Sequence, residues 1–338
     1  MSGASSSQDA WWSALEPVRP ELVSKRGDSD DPRLGDVVVL PDDRPPALRV
    51  GQPVLIGFPC DEGVRRNKGR TGAALAPDSI RECLYRLTAI DAVTRVNLAT
   101  LSFLDLGNVH IDCTLEQGQV RLASAVADLL RAGAVPIVLG GGHETAFGHF
   151  CGYVGAEINC AIINVDAHLD VRPYPNGGHS GSPFRQAIDH ATRPLKAGRY
   201  VVIGAQSQSV AQSHADYVLR HGGRVHWLPA SVARDWPRTL LKEELDRFQV
   251  EQSAVLLTVD ADAFRQSDVP GTSAPSPVGI NGAVWPEMAL LAGASPAVRS
   301  IEVVEVNPKF DRDSQTCRWA ALGIRQFLVG LALRQQQI

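Results

Sequence analysis

The chain has 338 residues, 44% of them apolar and 21% charged, with a formal net charge of -4. This composition is that of an ordinary globule with ample core material, and no apolar run reaches membrane-spanning length. The slightly negative balance supplies no basic field, so neither nucleic acid nor membrane is expected as a partner.

Taken in chain order, residues 1–8 are a Ser-rich tail expected to be disordered. Trp11 and Trp12 can open a short helix. An Asp-, Pro- and Arg-rich connector runs from about Arg26 to Pro46, interrupted by a possible strand at 37–40. Residues 1–50 are therefore expected to form an extension, partly disordered, and 51–338 a single catalytic domain. Strands are predicted at 54–58, 101–106, 135–139, 161–166, 200–203, 224–228, 254–260 and 301–305. Amphipathic helices are predicted around 77–89, 115–132, 210–221, 237–248, 285–292 and 316–333. Strand and helix alternate, which implies a three-layer αβα sandwich around a mainly parallel sheet of about eight strands. Ligands in such sheets gather at the carboxyl ends of the strands. The six cysteines are scattered without CxxC pairs, and no basic-then-apolar leader opens the chain. Reduced thiols and a cytoplasmic location are expected.

Four of the predicted strand ends carry metal-ligand chemistry. The first reads Gly140-Gly141-Gly142-His143-Glu144, and the second Asp166-Ala167-His168-Leu169-Asp170. The third reads Asp260-Ala261-Asp262, and the fourth ends in Glu305 within Glu305-Val306-Asn307-Pro308. Alternation along an extended chain sends residues i, i+2 and i+4 to one side, so Asp166, His168 and Asp170 are expected to point together, as are Asp260 and Asp262. Gathering carboxylates in one apolar crevice is costly unless a cation neutralises them. Carboxylates mixed with imidazoles favour Mn²⁺ or a similar ion over a thiolate-type zinc site, and two ions about 3.5 Å apart make water nucleophilic at neutral pH.

With these motifs the chain resembles the ureohydrolase (arginase/agmatinase) superfamily from about Val54 to Val329. The resemblance rests on GGGHE, DAHLD, DAD followed by Pro270-Gly271-Thr272, and EVNP. It implies an arginase-like fold and two Mn²⁺ per subunit held by His143, Asp166, His168, Asp170, Asp260 and Asp262. It also implies C–N hydrolysis in a guanidino or formimidoyl group, and homo-oligomers. Within the superfamily the formimidoylglutamase branch is the most similar, through Asp61 to Arg70, Ser180 to Gln186 and Pro270 to Pro275. Arginases and agmatinases typically have Asp where this chain has Arg265, and His-Gly where it has Ser180-Gly181.

The implied reaction is that of N-formimidoyl-L-glutamate with water to L-glutamate and formamide, by attack of a hydroxide bridging the two ions. Glu305 is expected to orient the cationic amidine, and Asp170 to relay a proton, with His179 as a second candidate. Arg65, Arg66, Lys68 and Arg70 crowd one glycine-flanked loop. Arg65, Arg66, Asn67 and Arg185 are therefore expected to bind the acidic tail of a small-molecule substrate. The alternatives are another ureohydrolase that releases urea from agmatine, guanidinobutyrate, arginine or a related guanidino acid, and a non-catalytic metal-binding pseudoenzyme.

Overall fold

The computed structural model describes residues 11–42, 44–231 and 234–336; the Ser-rich tail lies outside the described residues. Nine strands form one sheet: β1 (Leu15–Glu16), β2 (Pro53–Phe58), β3 (Leu104–Val109), β4 (Val135–Gly140), β5 (Cys160–Val165), β6 (Tyr200–Ala205), β7 (Arg224–Trp227), β8 (Ala254–Asp260) and β9 (Val298–Val304). Eight of them run parallel, as the alternation of elements demands, in the order β1-β3-β2-β4-β9-β8-β5-β6-β7. The ninth strand, β1, is a two-residue antiparallel edge on β3, too short to carry a periodicity signal.

The helices are α1 (Leu34–Val37), α2 (Glu62–Arg66), α3 (Ala76–Leu84), α4 (Leu115–Arg131), α5 (Thr145–Gly155), α6 (Pro183–Ile188), α7 (Gln212–Arg220), α8 (Trp236–Val250), α9 (Trp285–Ala294) and α10 (Gln315–Gln336). One sheet face, with Leu55, Ile137, Ile163, Leu257 and Val303, packs on α3, α8, α9 and α10. The other, with Ile56, Val138, Ile162 and Leu256, packs on α4 to α7. The central strands are buried on both faces, which is why they read as continuous Val/Ile/Leu runs.

Local chemistry sets several boundaries. Thr114 and Gln117 cap α4 reciprocally, the Thr114 hydroxyl accepting the Gln117 N–H at 3.3 Å and Gln117 Oε1 accepting the Thr114 N–H at 3.1 Å. The predicted strand at 37–40 is instead a helical turn, α1, followed by a single bridge from Val39 to Leu104. Asp36 caps that turn by accepting the Arg33 N–H at 2.7 Å, so local capping overrides the valine run. Helix α5 did not stand out in the sequence because it is buried nearly all round and lacks a polar stripe. Residues 11–42 lie against the body, with Trp11 and Leu34 buried in its core. Among the described residues, no helix is long and apolar enough to cross a membrane.

Candidate metal centre

The carboxyl ends of β4, β9, β8 and β5 are neighbours at the middle of the sheet and deliver the candidate ligands to one place. After β4 the chain turns through three glycines. A Cβ on Gly141 would sit 1.7 Å from the Cys60 carbonyl oxygen, so only glycine permits this approach. The turn delivers His143, which is 1% exposed. Its Nδ1 lies 2.9 Å from Asp170 Oδ2, 3.0 Å from Asp260 Oδ2 and 3.4 Å from Asp166 Oδ2. Its Nε2 lies 3.0 Å from Thr258 Oγ1, which leaves Nδ1 facing the carboxylates. His168 Nδ1 lies 3.3 Å from Asp166 Oδ1 and 3.4 Å from Asp262 Oδ2.

Pleat alternation is not what aligns these groups. Strand β5 stops at Val165, and Asp166 to Asp170 follow in irregular chain, with Asp170 at φ 44. Asp166 Oδ1 accepts the His168 N–H at 2.7 Å, and Asp260 Oδ1 accepts the Asp262 N–H at 2.8 Å, folding each motif back on its first carboxylate. Local turns of Asx type replace the expected extended run. Beneath them Asn164 donates to Asp166 Oδ2 at 2.9 Å.

The ligand atoms form two clusters, His143, Asp166, Asp170 and Asp260 in one and Asp166, His168 and Asp262 in the other. Within each cluster all lie within 4.8 Å of one another, and Asp166 belongs to both. Burial pushes Asp260 well above the usual carboxylate range, and Asp262 and Asp166 push it further. Burial and then Asp166 also raise Asp170. Burial raises Glu305 to about 7, against the opposing pull of Ser273 and the His143 N–H. Among the described residues no lysine or arginine pairs with any of these carboxylates. His143 Nδ1 and Asp262 Oδ1 are buried without a hydrogen-bond partner. Carboxylate oxygens crowded around buried imidazole nitrogens make an O/N donor set of the kind that fits Mn²⁺.

A cavity of about 180 Å³ opens over the clusters and is walled by His168, Asp170, Asp262, Asn67, Arg172 and Glu305, among others. Glu305 is held at φ 61, with Oε1 accepting the His143 N–H at 2.8 Å and Oε2 accepting from the Ser273 hydroxyl. Asn67 reaches the cavity as expected and donates to Ser180 Oγ at 3.1 Å.

The expected arginines are placed elsewhere. Arg65 forks onto Glu62 at 2.6 Å through both Nε and Nη2. Arg66 pairs with Glu62 and with Glu116, the latter at 2.5 Å. Arg70 donates to the Thr272 carbonyl at 2.6 Å and so ties down the loop that carries Ser273. Arg185 stacks on Tyr217 and pairs with Asp189 at 3.5 Å. The His179 ring is also engaged, Nε2 donating to the Pro173 carbonyl and Nδ1 accepting the Gly181 N–H, each at 3.2 Å. It lies outside the lining of the metal cavity. The cation that does line this cavity is Arg172, which the sequence reading passed over. Its signal was position, two residues beyond Asp170. Thr258 and Asn164 were visible too, as polar residues inside apolar strands.

The arginase family's sequence profile matches residues 52–330. The formimidoylglutamase of Geobacillus thermodenitrificans is 37% identical over 280 residues, covering 79% of this chain and 80% of its own. That of Clostridium tetani is 35% identical over 286 residues, with 80% of each covered. Among solved structures, Trypanosoma cruzi formiminoglutamase with Mn²⁺ superposes with a TM-score of 0.80 at 32% identity, covering 90% of this chain and 100% of that one. Bacillus subtilis formimidoylglutamase superposes with a TM-score of 0.80 at 26% identity, covering 92% and 95%. By its matched residues, its nine-stranded sheet and its clustered ligands, the chain belongs to the arginase family.

Proposed function

We propose that this chain hydrolyses N-formimidoyl-L-glutamate to L-glutamate and formamide at a site holding two Mn²⁺ ions. The observation that carries this reading is the set of buried carboxylates gathered around His143 and His168 with no lysine or arginine among them, in a chain similar to formimidoylglutamases over most of its length. His143, Asp166, Asp170 and Asp260 would hold one ion, and Asp166, His168 and Asp262 the other. Once bound, the ions neutralise the carboxylates and activate water for attack on the amidine carbon.

The remaining work falls to protein groups. Glu305, fixed by Ser273 and the His143 N–H, presents its carboxylate to the amidinium for a charge-assisted hydrogen bond in a site shielded from bulk water. Asp170 lines the cavity and is the carboxylate placed to pass a proton to the departing amine. Arg172 donates to Asn67 Oδ1 at 3.1 Å and is paired with no carboxylate among the described residues. It is the group for the carboxylate nearest the amidine, in place of Arg65 and Arg66. Catalysis belongs to residues 51–338, since every site residue falls between Val64 and Glu305, and residues 11–50 form a flank. Six free cysteines support a reducing, cytoplasmic setting, and a homo-oligomer is the expected state in solution.

The test is a product assay on Mn²⁺-loaded protein with formimidoylglutamate, agmatine and arginine side by side. Formamide from the first alone is the expected result. Urea from either of the others, or no turnover of any of the three, overturns the reading.

A further inference from the structure

A second cleft, of about 460 Å³, lies outward of the metal cavity and shares two of its walls, Asn67 and Arg172. Its other walls include Pro173, His179, Ser209 and His214. No carboxylate lines it. Among the described residues, no hydrogen bond or ion pair holds the His214 ring or the Ser209 hydroxyl. His214 is half-buried, and burial, then Arg172, then Arg185, hold it below the ordinary histidine range. Arg172 therefore faces the His214 ring and the Ser209 hydroxyl here with no carboxylate beside them, the reverse of the adjoining metal cavity. A guanidinium without an acidic partner, beside an imidazole and a hydroxyl free to donate, suits an anion.

The chemistry of the substrate says which anion. In N-formimidoylglutamate the α-carboxylate is one carbon–carbon bond from the carbon that bears the amidine nitrogen, and the γ-carboxylate is three. With the amidine at Glu305, the near carboxylate falls at Arg172, on the wall common to both cavities. The far one must then leave the metal cavity and enter the outer cleft.

Resting on the function proposed above, we propose that the outer cleft is a distal-carboxylate subsite in which His214 and Ser209 receive the γ-carboxylate. Arg172 stands at the junction between the two subsites and orients the chain of the substrate. His214 is thus a specificity-determining residue that selects amidines bearing two carboxylates over those bearing one.

The experiment compares N-formimidoylglutamate with N-formimidoylnorvaline, which keeps the length of the side chain but lacks the distal carboxylate, in wild type, His214→Ala and His214→Gln. His214→Ala is expected to raise KM for the dicarboxylate about ten- to hundredfold with little change in kcat. The analogue's kcat/KM should move far less, and His214→Gln, which keeps a donor, should recover part of the loss. An equal loss on both substrates, or no loss on either, overturns the subsite while leaving the proposed reaction intact. Wild-type protein that releases no formamide from either substrate overturns the reaction itself and the subsite with it.

Discussion

Two clusters of buried charge lie in the same sheet and are built on opposite plans. Where α3 meets β3, Arg81 is fully buried and forks onto Asp105 at 2.8 and 2.9 Å. It also donates to Asn108 Oδ1 at 2.6 Å and to the Gly107 carbonyl at 2.7 Å. Asp105 in turn accepts from the Tyr85 hydroxyl and the Gly107 N–H. Every charge there has its counter-charge within the chain. Around His143 the carboxylates outnumber the available cations, and buried atoms are left without partners. Burial alone therefore does not distinguish a structural cluster from a site. The presence or absence of an internal counter-ion does.

The comparison can be broken first at the closed cluster. Arg81→Met strands Asp105 in the core and should cost about 3–5 kcal/mol in urea unfolding, with the folded fraction still binding metal at full stoichiometry. Loss of metal without loss of stability would mean that the two clusters are not independent. At the open cluster, Asp262→Asn removes one of several mutually repelling carboxylates. It should lower Mn²⁺ content and reduce turnover by at least about a hundredfold, while leaving the unfolding midpoint of the metal-free protein unchanged or raised. Saturating wild type with Mn²⁺ at a hundred times its Kd should stabilise it by about 2.7 kcal/mol, and this gain should be missing from the variant. A metal-free variant as unstable as Arg81→Met would put the open cluster among ordinary structural pairs.

The smallest effect concerns a closed group nearer the surface. Glu244 accepts from His226 at 2.9 Å and from Arg247 at 2.8 Å. These partners outweigh burial and hold its carboxyl at about 2, against an ordinary 4.5. A depressed carboxyl contributes its full stability above pH 4.5 and loses it as pH falls towards 2. Glu244→Gln should therefore flatten the acid limb of stability over that window and leave neutral-pH turnover untouched. An unchanged acid limb would remove Glu244 from the compensated class.

The clustering of the candidate ligands was legible in the sequence because each motif is compact and sits at the end of an apolar run. The parallel sheet was legible for the same reason. What escaped depended on partners remote in the chain. Arg66 looked like a free cation until Glu116, fifty residues away, claimed it. The two backbone partners of the His179 ring, a candidate proton shuttle, are likewise visible only in the fold. Arg172 was one step beyond a motif already in view, yet its lack of an acidic partner shows only in three dimensions. Alternation also predicted convergence of Asp166, His168 and Asp170 for the wrong reason, since capping turns rather than a pleat bring them together.

The order of strands carries a consequence for assembly. Strand β9 is the last of the sheet in sequence, yet it lies between β4 and β8. Until it is inserted, His143 belongs to one half-sheet and all the aspartate ligands to another. A ribosome-bound chain lacking residues 298–304 would thus present two raw edges, at β4 and β8, and no complete coordination shell. The candidate ligands of the two half-sheets thus come together only once the chain has extended through β9.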